Sequence, residues 1–344
     1  MRIARTLGAA AVALALTASL AACSSSPAAE PGASAGTGGD GAFPVEVEHV
    51  FGTTEIPAKP ERIATVAWAN HEVPLALGVV PVGMSKATWG DDDGDGVLPW
   101  VEDKLAELDA ETPVLFDETD GIPFEEVADT QPDLILASYS GLTQEDYDTL
   151  SKIAPVVAYP EVAWGTSVQQ MIEMNSTAMG MKAEGEQLIA DLDARVQESL
   201  DAHPEMKDKT FLFSFFDPAD LSQVGFYTSL DTRPGFLTSI GLPEPQVVVD
   251  ESAKTDSFLA YVSSEEAERF DDVDVFVTYG DESLKEALQA DPLLSQIPAI
   301  AEGRIALLGV DPLAASANPS PLSIGWGIDE YFDLLAGATG GAEG

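Results

Sequence analysis

The sequence predicts an α/β protein built from two similar doubly wound lobes joined by a long helical segment, and three observations predict it. From residue 43 onward, short Val/Ile/Leu-rich runs alternate with longer amphipathic runs, the pattern of a parallel sheet covered by helices. Between Thr166 and Ala202, Leu188, Ile189, Leu192, Val196 and Leu200 recur at three- and four-residue intervals, so one helix face can lie along a protein surface. Two stretches, "EEVADTQPDLILASY" (125–139) and "EEAERFDDVDVFVTY" (265–279), share length, an opening Glu pair and a closing Tyr. The expected division is a first lobe over 43–165, a linking helix region over 166–203 and a second lobe over 204–340.

The chain opens with "MRIARTLGAAAVALALTASLAAC": Arg2 and Arg5, a short Ala/Leu/Val run, then small residues before a cysteine. This is the layout of an export signal over 1–22, and the apolar run is shorter than the roughly 20 residues a membrane-spanning helix needs. Leu20-Ala21-Ala22-Cys23 resembles the lipobox of bacterial lipoproteins, which implies lipidation at Cys23 and anchoring to the extracytoplasmic face of the cell membrane. Cys23 is the sole cysteine, so no intramolecular disulfide can form. The Ser/Gly/Ala/Pro stretch that follows, to residue 42, has the composition of a flexible tether.

In the first lobe, "RIATVAW" (62–68) reads as a strand, "HEVPLALG" as a helix despite Pro74, and "VPVGMS" as the next strand. "PFEEVADTQ" and "PDLILASY" repeat the helix-to-strand step, and "APVVAY" follows. Gly180 and Gly185 weaken the middle of the linking helix and Pro204 stops it. The second lobe restarts with "KTFLFSFF" (209–216), a loop, and a helix near "RPGFLTSIG"; "SSEEAERF" leads into the strand "DVFVTY", "GRIALLG" is a further strand, and "GWGIDEYFDLLAG" the last helix.

The formal charge is −43, and −45 without Arg2 and Arg5. Such a chain repels nucleic acid, and no Lys/Arg cluster exists to contact phosphates. The apolar fraction, 45%, is that of an ordinary globular protein. No "GxSxG" elbow and no "GxxxxGK" loop is present, and "GTGGDG" (36–41) follows no strand, so it is not a dinucleotide loop. With three histidines and no cysteine after the anchor, acid–base machinery is scarce, and the chain is expected not to be an enzyme.

"GTTEIPAKPERIATV", "LALGVVPVG", "PFEEVADTQPDLILASYSGLTQEDYDTLSKIAPVV", "GRIALLG" and "PSPLSIGWGIDEYFDLLAG", in that order and spacing, resemble the iron-complex substrate-binding lipoproteins of ABC importers, most nearly the branch common in actinobacteria. The resemblance implies two Rossmann-like lobes joined by one long backbone helix, the class III periplasmic-binding-protein arrangement. It implies capture of a ferric siderophore in the interlobe cleft by a monomer that carries no cofactor of its own, followed by delivery to permease subunits with their ATPase. Haem or cobalamin binding on the same fold, or a signalling lipoprotein without transport, are the alternatives. By motif match Glu125 and Glu265 are the glutamates that dock to the permease, with Glu126 and Glu266 beside them; the ordinary reading is a helix-start acid favoured by the helix dipole.

A doubly wound lobe places ligand groups past the carboxyl ends of its strands. That rule selects Trp68, Asn70 and His71 after the first strand, Lys86 and Trp89 after the second, Tyr139 and Ser140 after the next, then Tyr159 and Trp164. In the second lobe it selects Phe216, Tyr227, Arg233, Tyr279 and Asn318. Aromatic rings offer area at small entropic cost, and Arg or Lys supplies charge to an anionic complex, which makes Trp89, Trp164, Tyr227 and Arg233 the leading candidates. If Lys86 and Arg233 both face the cleft, an anionic ligand is favoured. His71 is a candidate iron ligand. "DDDGDGVLPWVE" (91–102) places Asp91, Asp93, Asp95, Gly96 and Glu102 at the positions of a calcium loop, although Pro99 and the missing entry helix argue for a solvated acidic loop.

Overall fold

The computed structural model of the chain describes residues 41–340; the export segment 1–22, Cys23 and the tether to residue 40 lie outside the described residues. A two-stranded hairpin comes first, β1 (Val45–His49) paired antiparallel with β2 (Gly52–Ile56). Five short strands then form a parallel sheet: β3 (Ile63–Thr65), β4 (Gly83–Ser85), β5 (Val114–Phe116), β6 (Leu134–Leu136) and β7 (Val156–Val157), in the order β5-β4-β3-β6-β7. The strand order reverses at β3, so the loops after β3 and β6 open at the point where a doubly wound sheet binds its ligand.

The linking region is two helices rather than one. Val168–Ala178 and Lys182–Ala202 are separated by Gly180, whose φ of +69° lies in the left-handed region that glycine adopts freely. Ser167 starts the first with a reciprocal cap, its hydroxyl accepting from the Gln170 amide while the Gln170 side chain accepts from the Ser167 amide. The closing helix Ser323–Thr339 packs along Lys182–Ala202 and is tied to it by an Arg195–Asp329 ion pair.

The second sheet is mixed, where uniform strand–helix alternation was expected. Its strands are β8 (Phe211–Asp217), β9 (Asp220–Tyr227), β10 (Leu259–Ser263), β11 (Val275–Thr278) and β12 (Ile305–Leu307), in the order β10-β9-β8-β11-β12. β8 turns back tightly into antiparallel β9, which pairs antiparallel with β10; β8, β11 and β12 are parallel. β9 carries the polar residues Asp220, Ser222 and Gln223 on an exposed stretch, which weakens the apolar signal by which a strand is recognised.

The largest buried cluster joins both lobes, and a smaller one sets Ala315 of the second lobe among Leu75, Met84 and Trp100 of the first. Ala69, Val73 and Tyr139 from the first lobe, Met171 and Ile172 from the linking helices, and Phe211, Phe213, Val277 and Phe332 from the second belong to one continuous apolar core. A fully buried carboxylate reinforces the junction: Glu72 accepts from the Trp100 indole at 2.7 Å and from the Leu322 amide at 2.8 Å, 250 residues further along the chain. Opening the lobes would expose this core and strip those donors from a buried acid, so large hinge motion is opposed.

Candidate functional site

A cavity of about 490 Å³ lies between the lobes, walled by Trp68, Trp89, Tyr139, Trp164, Phe215, Tyr227, Asp231, Arg233, Phe258, Leu259 and Asn318. Its volume is within the range of sites that take drug-sized ligands, about 300–1,000 Å³.

The wall from the second lobe is set by strand pleat and one helix start. Tyr227 ends β9, and its ring meets Phe213 and Phe215 edge-on, each at 5.5 Å between centroids. Asp231 opens the helix Thr232–Ser239, its carboxylate accepting from the Arg233 amide and pairing with the Arg233 guanidinium at 2.9 Å. The same guanidinium lies 4.0 Å from the centre of the Tyr227 ring. Burial opposes the Arg233 charge, but Tyr279, Asp231, Tyr227 and Tyr139 offset that and hold its pKa above the ordinary value. The pair therefore brings one cation and one anion to the cavity.

The wall from the first lobe is set by loops. Asn70, fully buried, donates to the carbonyls of Val66 at 2.8 Å and Tyr139 at 2.9 Å and accepts from the Tyr139 amide at 3.1 Å, so one side chain clips the loop after β3 to the loop after β6. Trp68 stands between Ala67 and Ala69, both at φ +62°, and both carboxylate oxygens of Glu118 accept from the Ala67 amide at 3.0 Å. These left-handed non-glycine positions are strained and persist because their surroundings hold them. Trp164 is also at φ +62°; its amide donates to Ser140, and its indole fills the space where a side chain on Gly141 would stand, 2.3 Å from an added Cβ. At the floor, Tyr139, Thr232 and Asn318 join the lobes by hydrogen bonds, with the Asn318 amide donating to the Tyr139 hydroxyl at 3.2 Å.

Of the residues selected from sequence, Trp68, Trp89, Tyr139, Trp164, Tyr227, Arg233 and Asn318 wall this one cavity. Tyr279 stands immediately behind it, its ring 5.2 Å from Trp89 and 5.7 Å from Phe213. Tyr139 and Tyr279 thus occupy matching places just beyond β6 and β11, as the internal similarity suggests. His71 and Lys86 lie elsewhere: both line a separate void of about 20 Å³ behind Trp68. His71 is buried with its Nδ1 unpartnered, and burial holds its pKa down to about 4; Lys86 pairs with Asp117 at 3.5 Å. The condition for an anionic ligand, both cations at the cleft, is not met. Tyr159 packs in the first-lobe core, donating to the Leu142 carbonyl.

The strand-end rule presumes parallel strands and misses Phe215, Phe258 and Leu259, which lie on the antiparallel ribbon or just before it. The signal was present in the alternation of "FLFSFF" and "QVGFY". Glu125 and Glu265 are exposed at the starts of Phe124–Asp129 and of the 3₁₀ turn Ser264–Phe270, which replaces the expected α-helix. Both starts follow the carboxyl end of a strand, β5 and β10. Asp91, Asp93 and Asp95 bring carboxylate oxygens within 4.8 Å of one another, but Asp91 is engaged by the amides of Gly94 and Gly96 at 2.8 and 2.7 Å.

Comparison with known proteins places this geometry. The profile described as "Periplasmic binding protein" matches residues 63–312. The probable siderophore-binding lipoprotein YfiY of Bacillus subtilis (strain 168) is 30% identical over 247 residues, 70% of each chain. Among solved structures, Streptococcus pneumoniae TIGR4 PiaA in complex with ferrichrome is 48% identical, covers 86% of this chain and 99% of its own, and superposes with a TM-score of 0.83. A periplasmic solute binding protein from Mycobacterium smegmatis is 29% identical over 86% of this chain and 98% of its own, with a TM-score of 0.69. With two α/β lobes, two linking helices and an aromatic cleft at the switch point of the parallel sheet, the chain belongs to the periplasmic binding protein family.

Proposed function

We propose that this protein is the extracytoplasmic binding component of an ABC importer and that it captures a ferric siderophore between its lobes without chemical change. The observation that carries the reading is the interlobe cavity, walled by rings and holding a charge-balanced Arg233–Asp231 pair. Flat or amide-rich chelating groups present faces to rings and acceptors to a guanidinium, while the iron stays enclosed in its chelate. The ferrichrome held by PiaA and the name of a second relative, the iron(3+)-hydroxamate-binding protein YxeB, 23% identical over 83% of each chain, support the same class.

The balance of charge refines it. A ferric ion bound by three singly charged hydroxamates is neutral, whereas three doubly charged catecholates leave a polyanion, and the cavity offers no surplus cation to receive one. A neutral ferric trihydroxamate is therefore the ligand class we favour over catecholate, haem or cobalamin. Quenching of tryptophan fluorescence in the mature protein, titrated with a ferric trihydroxamate, a ferric tricatecholate, haem and cobalamin, tests it: saturable binding of the first alone is expected, and preference for any other overturns it.

Anchoring at Cys23 keeps the binding protein beside its permease, and Glu125 and Glu265 meet it from one lobe each. Among the described residues neither carboxylate has an ion-pair partner, and both are exposed. Reversing both to Lys is expected to abolish uptake with affinity unchanged; uptake equal to the native protein's would remove the assignment. A calcium ion at Asp91, Asp93 and Asp95, whose carboxylate oxygens lie within 4.8 Å of one another, is the second reading to set against a solvated acidic loop. Calorimetric titration with calcium tests it, and absence of heat discards it.

A further inference from the structure

The antiparallel ribbon of the second lobe has two faces. Because side chains alternate across a strand, Leu212, Val224, Phe226, Ala260 and Val262 point into the core beneath it. The opposite face follows from the register: Tyr227 pairs with Leu259, and Gly225 pairs with both Phe215 and Tyr261. Phe215, Gly225 and Tyr261 therefore form one row across three strands, next to the row that contains Tyr227 and Leu259. Three of these residues, Phe215, Tyr227 and Leu259, wall the cavity.

The outer row runs past the cavity to the sheet edge. Gly225 sits in its middle without a side chain, and a Cβ there would lie 2.4 Å from the Phe215 ring. The ring lies over the glycine and reaches Tyr261, with centroids 5.5 Å apart and the planes nearly perpendicular. Tyr261 is 55% exposed, an unusual place for a large ring on an edge strand that packing does not require. The rings Tyr227, Phe215 and Tyr261 thus make a continuous aromatic shelf that starts inside the cleft and ends in solvent.

We propose that this shelf is an outer subsite of the cleft, with Tyr261 as its specificity-determining residue, and that it receives a flat or apolar pendant group of a chelate whose iron centre sits in the cavity. The inference rests on the ferric-chelate reading. The shelf and the cavity share Phe215, so one ligand touches both, and a chelate larger than the cavity projects over the row that Gly225 keeps low. Gly225 lets the Phe215 ring lie across the strand to reach Tyr261, and Phe215 and Tyr261 give the pendant group its faces.

The experiment compares two neutral probes with the same iron centre, the N-acetyl and N-benzoyl derivatives of a linear ferric trihydroxamate, by tryptophan quenching. The native protein is expected to bind the N-benzoyl chelate about three- to tenfold more tightly, the size of one aromatic contact. In Tyr261→Ala the ratio falls to about one, and Tyr261→Phe restores it. Gly225→Ala, which displaces the Phe215 ring, reduces the ratio as well. An identical ratio in the native protein and Tyr261→Ala overturns the subsite alone; failure of the native protein to bind either probe overturns the ferric trihydroxamate reading and the subsite with it.

Discussion

The two walls of the cleft present similar rings by different means. In the first lobe the strands are two or three residues long, and Trp68, Trp89 and Trp164 stand on loops. Two of those loops hold non-glycine residues at positive φ, kept there by the buried Asn70 clip, the Glu118 carboxylate and the close approach at Gly141. In the second lobe β8 and β9 have seven and eight residues, and Phe215 and Tyr227 face the cleft because pleat alternation sends them there. A loop-borne wall depends on a few polar contacts that can each fail. A strand-borne wall depends on a ladder, and its one vulnerable element is the buried charge pair.

The largest effect is expected from breaking that pair. Arg233→Leu leaves Asp231 buried without its partner, which costs about 3–5 kcal/mol in urea unfolding, and removes the cation over Tyr227, which weakens ferric chelate binding by about 30-fold or more in a quenching titration. The corresponding weak point of the loop-borne wall is Asn70. Asn70→Ala strands the Tyr139 amide and carbonyl in the interior, for a loss of about 2–4 kcal/mol. Its affinity loss is expected to trace to Trp68 and Tyr139, read as a larger exposure of the Trp68 indole to acrylamide, with the Tyr227 environment unaltered.

Acid sharpens the contrast. Burial holds His71 at about 4 against 6.5 in the unfolded chain, so its contribution is complete above pH 6.5 and is lost as pH falls through 4. Up to about 3 kcal/mol of stability is at stake over that window. His71→Gln removes this part of the acid sensitivity, seen as a smaller drop in urea midpoint between pH 6.5 and 4, and leaves ligand affinity at pH 7 within about twofold because His71 lies behind the wall. The smallest effect belongs to Lys86→Ala. An exposed pair such as Lys86–Asp117 is worth about 0–1 kcal/mol, and affinity for a neutral chelate should be unaltered.

Much of the cleft was legible in the sequence for one reason: strands of a doubly wound sheet point their carboxyl ends the same way, so residues just past them converge. That brought out Trp68, Tyr139 and Trp164 in the first lobe and, with Arg233 and Asn318, part of the second. The rule failed where its premise failed. β9 and β10 run in opposite senses, so Phe215, inside a strand, faces the cleft, and Leu259 does so from a strand's beginning. His71 and Lys86 obey the rule in sequence but turn the other way in space: the left-handed residues around Trp68 send the indole into the cavity and His71 behind it.

By itself the sequence determined the two-lobe pattern, the alternation of strand and helix in the first lobe, and the acidic surface, because periodicity and composition act over a few residues at a time. It also carried the weak point at Gly180, which is local backbone chemistry. Only the tertiary structure decided which ring shares a cavity with which, that Arg233 is balanced by Asp231 and not joined by Lys86, and that Gly225 makes room for the Phe215 ring to reach Tyr261. Those outcomes depend on strand register and loop handedness, where a shift of one residue turns a side chain to the opposite face, and no local pattern carries that information.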